Sequence, residues 1–311
     1  MIKKLIKKAI GAVARFYHKI RSLRAVWLMI NLPSIIRYRQ NVPTLNEEQK
    51  RIVAALREDG IAITHIDKLF PPETFAELQK FALSRWEDAD VKSQYERREE
   101  SRNGDKLKSK SFFLVDLWKG ERVLDLSHPF TKFSLSDIIL NTVNTYMGMF
   151  VKFIDWRLQV TIPMPEGMRS YASQEWHRDP EDQQLVKVFL YLNDVDDAAG
   201  PFIYLKKSHY TGKWRHLFPQ KPPRGSAGED DKIPNQDRIV CTGRAGTLVF
   251  CDTSGLHRGG HAKNKNRFMY TTVFESPASV WPVIMKYPKH FPQLAYAIDN
   301  KIKAEPKLYN F

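Results

Sequence analysis

Cysteine is scarce in this 311-residue chain: Cys241 and Cys251 stand alone, with no CxxC pair. That excludes a disulfide-built scaffold and a structural zinc ribbon. Two isolated thiols suit a reducing, cytoplasmic compartment. No apolar run approaches the ~20 residues needed to span a bilayer. Acid is missing from residues 1–46, which carry ten basic side chains (Lys3, Lys4, Lys7, Lys8, Arg15, Lys19, Arg21, Arg24, Arg37 and Arg39) before the first carboxylate at Glu47. The 35 acidic side chains of the chain all lie beyond that point and nearly balance the remaining basic ones. The net charge of +14 therefore belongs to a basic head, 1–46, and not to the body, 47–311. Nothing marks the body as a nucleic-acid binder, and no nucleic acid is expected as a partner.

The head has helical periodicity. At ~100° per residue, Ile2, Leu5, Ile6, Ala9, Ile10, Val13, Phe16, Ile20 and Leu23 share one face. Most of the cations share the other, and Arg24 is the exception. An apolar run, Ala25 to Ile30, follows, with Trp27 inside it and Pro33 beyond it. Such a helix suits an anionic membrane surface through residues 1–30, with apolar side chains in the acyl boundary and cations at the phosphates. It also suits packing on the body, or a transit segment. Charges interrupt any signal-peptide core.

At 42% hydrophobic residues the body can bury a core. Residues 46–59 read as a helix with Ile52, Val53 and Leu56 on one face, ended by Gly60. Ile61 to Ile66 reads as a strand. Pro71 and Pro72 open a second helix over 73–84, with Phe75, Leu78 and Phe81 inward. Residues 87–110 are crowded with charge and are expected to be exposed. Beyond them lie short apolar runs at 154–163, 185–193, 201–206, 246–251 and 267–275, separated by Gly, Pro and Asn-Asp clusters. Many short strands with turn punctuation indicate a mainly β sandwich or barrel with helical support. Residues 211–238, with four Pro and three Gly, read as a long loop insertion.

Two segments carry chemistry. In Trp176-His177-Arg178-Asp179-Pro180, an extended backbone points His177 and Asp179 to the same side and Arg178 away. An imidazole and a carboxylate on one side are two-thirds of a 2-His-1-carboxylate set, which holds Fe(II) and leaves positions open. Alone, His-x-Asp is weak and reads equally as a surface ion pair. The chain supplies its own control in His65-Ile66-Asp67, which nothing nearby completes and which reads as structural. The second segment, Gly243 to Gly260, is a strand delivering His257 to a Gly-flanked loop. Ten residues later Arg267 opens a strand whose alternation puts Arg267, Met269, Thr271 and Val273 on one face. An inward Arg needs an anionic partner, and a dicarboxylate supplies one through a bidentate fork. His209 and His261 read as ordinary polar residues outside the ligand set. Trp176, Tyr171 and Phe189 read as core or rim.

These segments resemble the phytanoyl-CoA dioxygenase family of Fe(II)/2-oxoglutarate-dependent oxygenases. The family pattern of His-x-Asp, a distal His and an Arg about ten residues further falls on His177, Asp179, His257 and Arg267. Tyr191 to Asp194 and Gly200 to His209 resemble the stretch that ends in Pro-Gly-Ser-His in many members, with Lys206-Lys207 where Pro-Gly is usual. The likeness covers about 45–280 and leaves out the head. It implies a double-stranded β-helix (jelly roll) preceded by the N-terminal amphipathic helix. Iron would be bound by His177, Asp179 and His257, and Arg267 would pair with the far carboxylate of 2-oxoglutarate. Thr271 is a candidate helper there, with Tyr204 a second. O2, Fe(II) and 2-oxoglutarate would then hydroxylate an unactivated C–H of a small or lipid-linked substrate, with succinate and CO2 as co-products. Asp179 favours hydroxylation, because a Gly or Ala in its place would open a halide site. The alternative is a non-catalytic jelly-roll binding or sensor module, tethered to a membrane by the head. The substrate, a small molecule or a lipid or glycolipid, and the oligomeric state are not written in these motifs.

Overall fold

A computed structural model describes residues 20, 23–102, 112–118, 124–125, 127–168, 170, 172–216 and 233–279. The apolar runs become strands of two antiparallel sheets that form a jelly roll. The larger sheet has strand order β1-β7-β4-β9-β3-β2. Its members are β1 (Ile61–His65), β2 (Leu114–Asp116), β3 (Lys152–Thr161), β4 (Leu185–Tyr191), β7 (Thr247–Asp252) and β9 (Arg267–Glu275). The smaller sheet runs β6-β5-β8, from β5 (Phe202–Leu205), β6 (Arg238–Cys241) and β8 (His257–Gly259).

Alternation divides the large sheet between two environments. Val188, Leu190, Phe250, Tyr270 and Phe274 face the helical layer, where they meet Phe130, Ile139 and Val143. Phe189, Val249 and Cys251 face the small sheet and meet Phe202, Tyr204 and Cys241. The helices are α1 (Arg24–Gln40), α2 (Glu47–Asp59), α3 (Pro72–Trp86), α4 (Ala89–Arg102), α5 (Pro129–Ser134) and α6 (Asp137–Met147). The α2 helix forms as its sequence suggests. Asn46 and Gln49 make a reciprocal capping box, and Ile52, Val53 and Leu56 are buried. Gly60 ends the helix at φ +78°, and a Cβ there would lie 2.3 Å from the Tyr204 hydroxyl, so glycine is required twice over. Residues 87–110, expected only to be exposed, include the α4 helix, which buries Val91 and Gln94 against β2. Its charge-rich sequence hides the period, because few of its residues face the core.

Only part of the stretch read as a basic head, 1–46, falls among the described residues. Residues 1–19 and 21–22, which hold most of the expected amphipathic face, lie outside the described residues. Residues 24–40 form a helix that hydrogen-bonds to the body. The α1 helix runs through Pro33 and turns Trp27, Asn31, Ser34 and Tyr38 inward. The Trp27 indole donates to Asp182 at 2.6 Å, Ser34 to the Phe150 carbonyl at 2.7 Å, and Tyr38 to Thr145 at 3.0 Å. The Ala278 amide donates to Asn31 at 2.9 Å. These anchors on the inward side are polar, and the apolar side chains Leu28, Met29, Leu32 and Ile36 are exposed. Among the described residues no helix is long and apolar enough to cross a membrane.

Asp182 is half-buried, and the Trp27 bond helps to satisfy its carboxylate together with the Gln183 and Ser276 amides. Trp27→Phe is expected to lower stability by about 1–3 kcal/mol in urea denaturation, because it leaves an acceptor short of a donor. An unchanged midpoint would mean that α1 does not depend on this bond.

Candidate active site

The two ligand-bearing segments are joined through their backbones. His177 and His257 form an antiparallel bridge, with His177 N–H donating to the His257 carbonyl at 3.0 Å and His257 N–H to the His177 carbonyl at 2.9 Å. The Asp179 amide donates to the Thr253 carbonyl at 2.9 Å. Segment 177–179 thereby extends the small sheet beside β8, and the extended geometry turns His177 and Asp179 to one side. The ring of each histidine is then oriented by its own neighbourhood. His177 Nδ1 lies 2.7 Å from the Glu175 carbonyl and His257 Nδ1 lies 2.9 Å from the Gly255 carbonyl. A carbonyl only accepts, so both Nδ1 atoms carry the proton and both Nε2 atoms present a lone pair. Those Nε2 atoms stand 3.9 Å and 3.7 Å from the Asp179 carboxylate. One ligand atom from each of the three residues lies within 4.8 Å of the others. Among the described residues this is the one group of three or more such side chains able to hold a metal ion.

The electrostatics suit a cation. Burial and the neighbouring His177 push the His257 pKa down to about 3, so its ring is neutral at physiological pH and available as a ligand. Burial works to raise the Asp179 carboxyl, but Lys187, His257 and His177 outweigh it and hold the group well below the usual carboxylate range. Lys187 Nζ sits 2.6 Å from Asp179 Oδ2.

The triad opens into a cavity of about 340 Å³ between the sheets. Arg267, Met269, Thr271 and Val273 all line it, as the alternation of β9 requires. Arg267 is buried, and its Nη2 donates to Thr161 Oγ1 at 3.1 Å. Its Nε and Nη1 are buried without a partner, and it makes no ion pair among the described residues. Burial alone drives its pKa down. A guanidinium with two idle donors facing a cavity fits one end of a dicarboxylate. Thr271 lies one inward position from Met269, opposite Phe189 on β4 and Arg157 on β3.

Other residues singled out by sequence fall elsewhere. His65 and Asp67 pair with each other at 3.1 Å, and His65 Nε2 meets the Ala245 carbonyl, a structural arrangement. Tyr204 does not reach the cavity: it is fully buried and donates to the Asp252 carbonyl at 3.0 Å. Arg178 points away from the triad but faces neither substrate nor solvent. Its guanidinium binds the carbonyls of Ser208, Ser254 (2.8 Å) and Trp214 (3.1 Å), tying both flanking loops to the ligand segment. His209 and His261 stay outside the triad, at the Arg57 carbonyl and Ser170 respectively. Trp176 packs in a small core with Leu205, Ile233 and Leu256, and Phe189 lines the cavity wall. Tyr171 lies outside the described residues. The turn with Lys206-Lys207 keeps a glycine-like shape, because Lys207 adopts φ +61°. It leaves Ser208 Oγ to accept from the Leu256 amide at 2.7 Å, just before His257. Sequence reasoning missed Lys187, Glu181 and Glu275 as cavity residues. A lysine inside the apolar strand LVKVFLY was the available signal for the first.

The model of the family described as phytanoyl-CoA dioxygenase (PhyH) matches residues 56–268, more than half of the chain. Among solved structures, EctD from S. alaskensis with 2-oxoglutarate and 5-hydroxyectoine is 15% identical, with TM-score 0.52, over 81% of this chain and 85% of EctD. The same protein with bound Fe gives 16% identity and TM-score 0.51 over 83% and 87%. AviO1 from Streptomyces viridochromogenes Tue57 is 16% identical, with TM-score 0.45, over 77% of this chain and all (100%) of that one. At these identities the structures speak to the fold alone. No curated protein sequence matches the chain. The family match falls on the segment that carries the His-Asp-His group and reaches Arg267, and the protein belongs to the phytanoyl-CoA dioxygenase family of Fe(II)- and 2-oxoglutarate-dependent oxygenases.

Proposed function

We propose that the protein hydroxylates an unactivated C–H of a small or lipid-linked substrate, with His177, Asp179 and His257 as the iron ligands and Arg267 and Thr271 as the 2-oxoglutarate site. The observation that carries this reading is the meeting of two features in one cavity: ligand atoms of two histidines and a carboxylate converging within 4.8 Å, and a buried guanidinium with idle donors. Fe(II) bound there supplies oxygen activation coupled to oxidation of 2-oxoglutarate to succinate and CO2. The chain does the rest. The Nδ1 bonds to Glu175 and Gly255 hold both rings in the metal-binding tautomer. Lys187 keeps Asp179 ionised as a ligand. Arg267 fixes the far carboxylate and so orients the 2-oxo acid end toward the ligands. Phe189 and Phe202, with ring centroids 4.7 Å apart, wall off the space beside His257.

The same proposal places the enzyme on the cytoplasmic face of an anionic membrane. Its support is the outward stripe of Leu23, Leu28, Met29, Leu32 and Ile36, between 40% and 66% exposed, in a stretch that carries cations and no acid. The stripe lies on the helix that Trp27 ties to Asp182, three residues after the candidate ligand Asp179. A lipid-linked substrate would thus meet the barrel near its mouth.

Anaerobic titration with Fe(II) and then 2-oxoglutarate is expected to give a weak visible charge-transfer band in the wild type. His177→Ala and Asp179→Ala should abolish it, while Arg267→Ala should need roughly 10–100-fold more 2-oxoglutarate, the loss of a charged hydrogen-bonded pair. A well-folded wild type without a band would defeat the reading. In co-sedimentation, the full chain should bind vesicles containing phosphatidylglycerol and not pure phosphatidylcholine. Replacing Leu28, Met29 and Leu32 together by Glu should release it. Equal sedimentation of wild type and triple variant would remove the membrane from the proposal.

A further inference from the structure

The cavity has a second charged end, beyond the metal ligands. Inward side chains of β9 follow one another as Arg267, Met269, Thr271, Val273 and Glu275. Val273 is paired with Lys187, whose ammonium holds Asp179, so the ligand set is level with Val273. Glu275 is the next inward position, ~7 Å further along the strand and on the side away from Arg267. It is fully buried. The Ser279 hydroxyl engages its Oε2, while its Oε1 is buried with no partner. Glu181 brings a second carboxylate to the same cavity, and its Oε2 is likewise buried without a partner. Ser279 Oγ also lies 3.2 Å from the Glu181 carbonyl, so the two glutamates share one corner.

The nearby cations are already engaged. Lys187 is 2.6 Å from Asp179, Arg157 is 3.4 Å from Asp155, and the Lys152 ammonium donates to the Ser279 carbonyl at 2.9 Å. Neither Glu181 nor Glu275 forms an ion pair among the described residues. Burial pushes Glu275 up to about 7, against the Ser279 hydrogen bond and the charge of Lys152. Two cavity-lining carboxyl groups, each with one buried oxygen that has no hydrogen-bond partner among the described residues, define the chemistry of what enters.

We propose that this corner is the substrate-recognition subsite for a protonated amine, gripped by Glu275 and Glu181, a specificity that rests on the oxygenase reading of the neighbouring triad. An ammonium offers three N–H donors and a full charge that favours the ionised form of both carboxyl groups, whereas a neutral hydroxyl offers one donor and an amide no charge. A carboxylate or phosphate would face like charge and is rejected. With the nitrogen in this corner, a carbon a few bonds away lies over the ligand set, on the side opposite the 2-oxoglutarate end. The subsite and Arg267 thus sort the two reactants by charge to opposite ends of one cavity.

The test uses the anaerobic Fe(II)–2-oxoglutarate complex of the full chain. It is titrated with methylammonium, ethanolamine and glucosamine, then with N-acetylethanolamine, N-acetylglucosamine and acetate. Binding is read from displacement of the visible band and from tryptophan fluorescence. At least one amine is expected to bind ten-fold or more tightly than its acetylated counterpart, and acetate not at all. Glu275→Gln should cut that preference about ten-fold, and Glu275→Asp should restore part of it. Glu181→Gln serves as the second variant if Glu275→Gln unfolds. Acetylated probes binding as well as amines, no amine binding, or a preference untouched in both variants would overturn the subsite. Absence of the band before any amine is added would instead sink the oxygenase reading, so the two failures are separable.

Discussion

The reciprocal backbone pair between His177 and His257 is the constraint on which the site depends. Two segments far apart in the chain become neighbouring strands, and the pairing fixes the height and facing of both imidazoles at once. The surroundings are built to keep that pair in place. Arg178, between the two ligands of its segment, binds three loop carbonyls, two of them in the loops that precede and support His257. Asp252 caps the same loop by accepting from Ser254 N–H at 3.0 Å, while Tyr146 donates to its other oxygen at 2.6 Å. A metal site needs ligand positions good to a few tenths of an ångström, and the chain obtains this from backbone pairing rather than from side-chain packing alone.

Buried charge is the second organising fact. Each ionised group taken from water needs a partner, or it shifts its pKa or waits for a ligand. Asp179 has Lys187 and the two imidazoles, and stays ionised. Arg267 has one neutral hydrogen bond and idle donors. Glu275 has one serine hydroxyl and an idle acceptor. A core built for stability alone would replace such groups by apolar ones. Along the cavity they stand in the order cation, candidate metal ligands, carboxylate, so the cavity is polarised from end to end.

The α1 helix inverts the usual arrangement. Its buried side is held by hydrogen bonds from Trp27, Ser34 and Tyr38 and by one that Asn31 accepts from the Ala278 amide, and its exposed side carries Leu28, Met29, Leu32 and Ile36. A helix whose polar atoms have partners inside loses little by showing apolar atoms outside, if a second apolar phase is present there. The apolar run 25–30 does not reveal which side packs, because the bonds that hold the helix come from its polar atoms.

The local elements with strong signals were legible in the sequence: the capped helix from Asn46 to Gly60, the strand from Arg267 with its inward alternation, and the segments carrying His177, Asp179 and His257. Each is set by period, cap or turn chemistry within a few residues, or by a spaced pattern of ligating side chains. What only the tertiary structure decided is how distant groups meet. No local pattern states that Lys187 reaches Asp179, that Tyr204 serves a loop and not the cavity, or that Glu181 and Glu275 share a corner. These follow from sheet register, where a shift of one residue would turn every side chain to the opposite face. Residue types and spacing determined which chemistry was available, and the register of the two sheets decided which residues would perform it together.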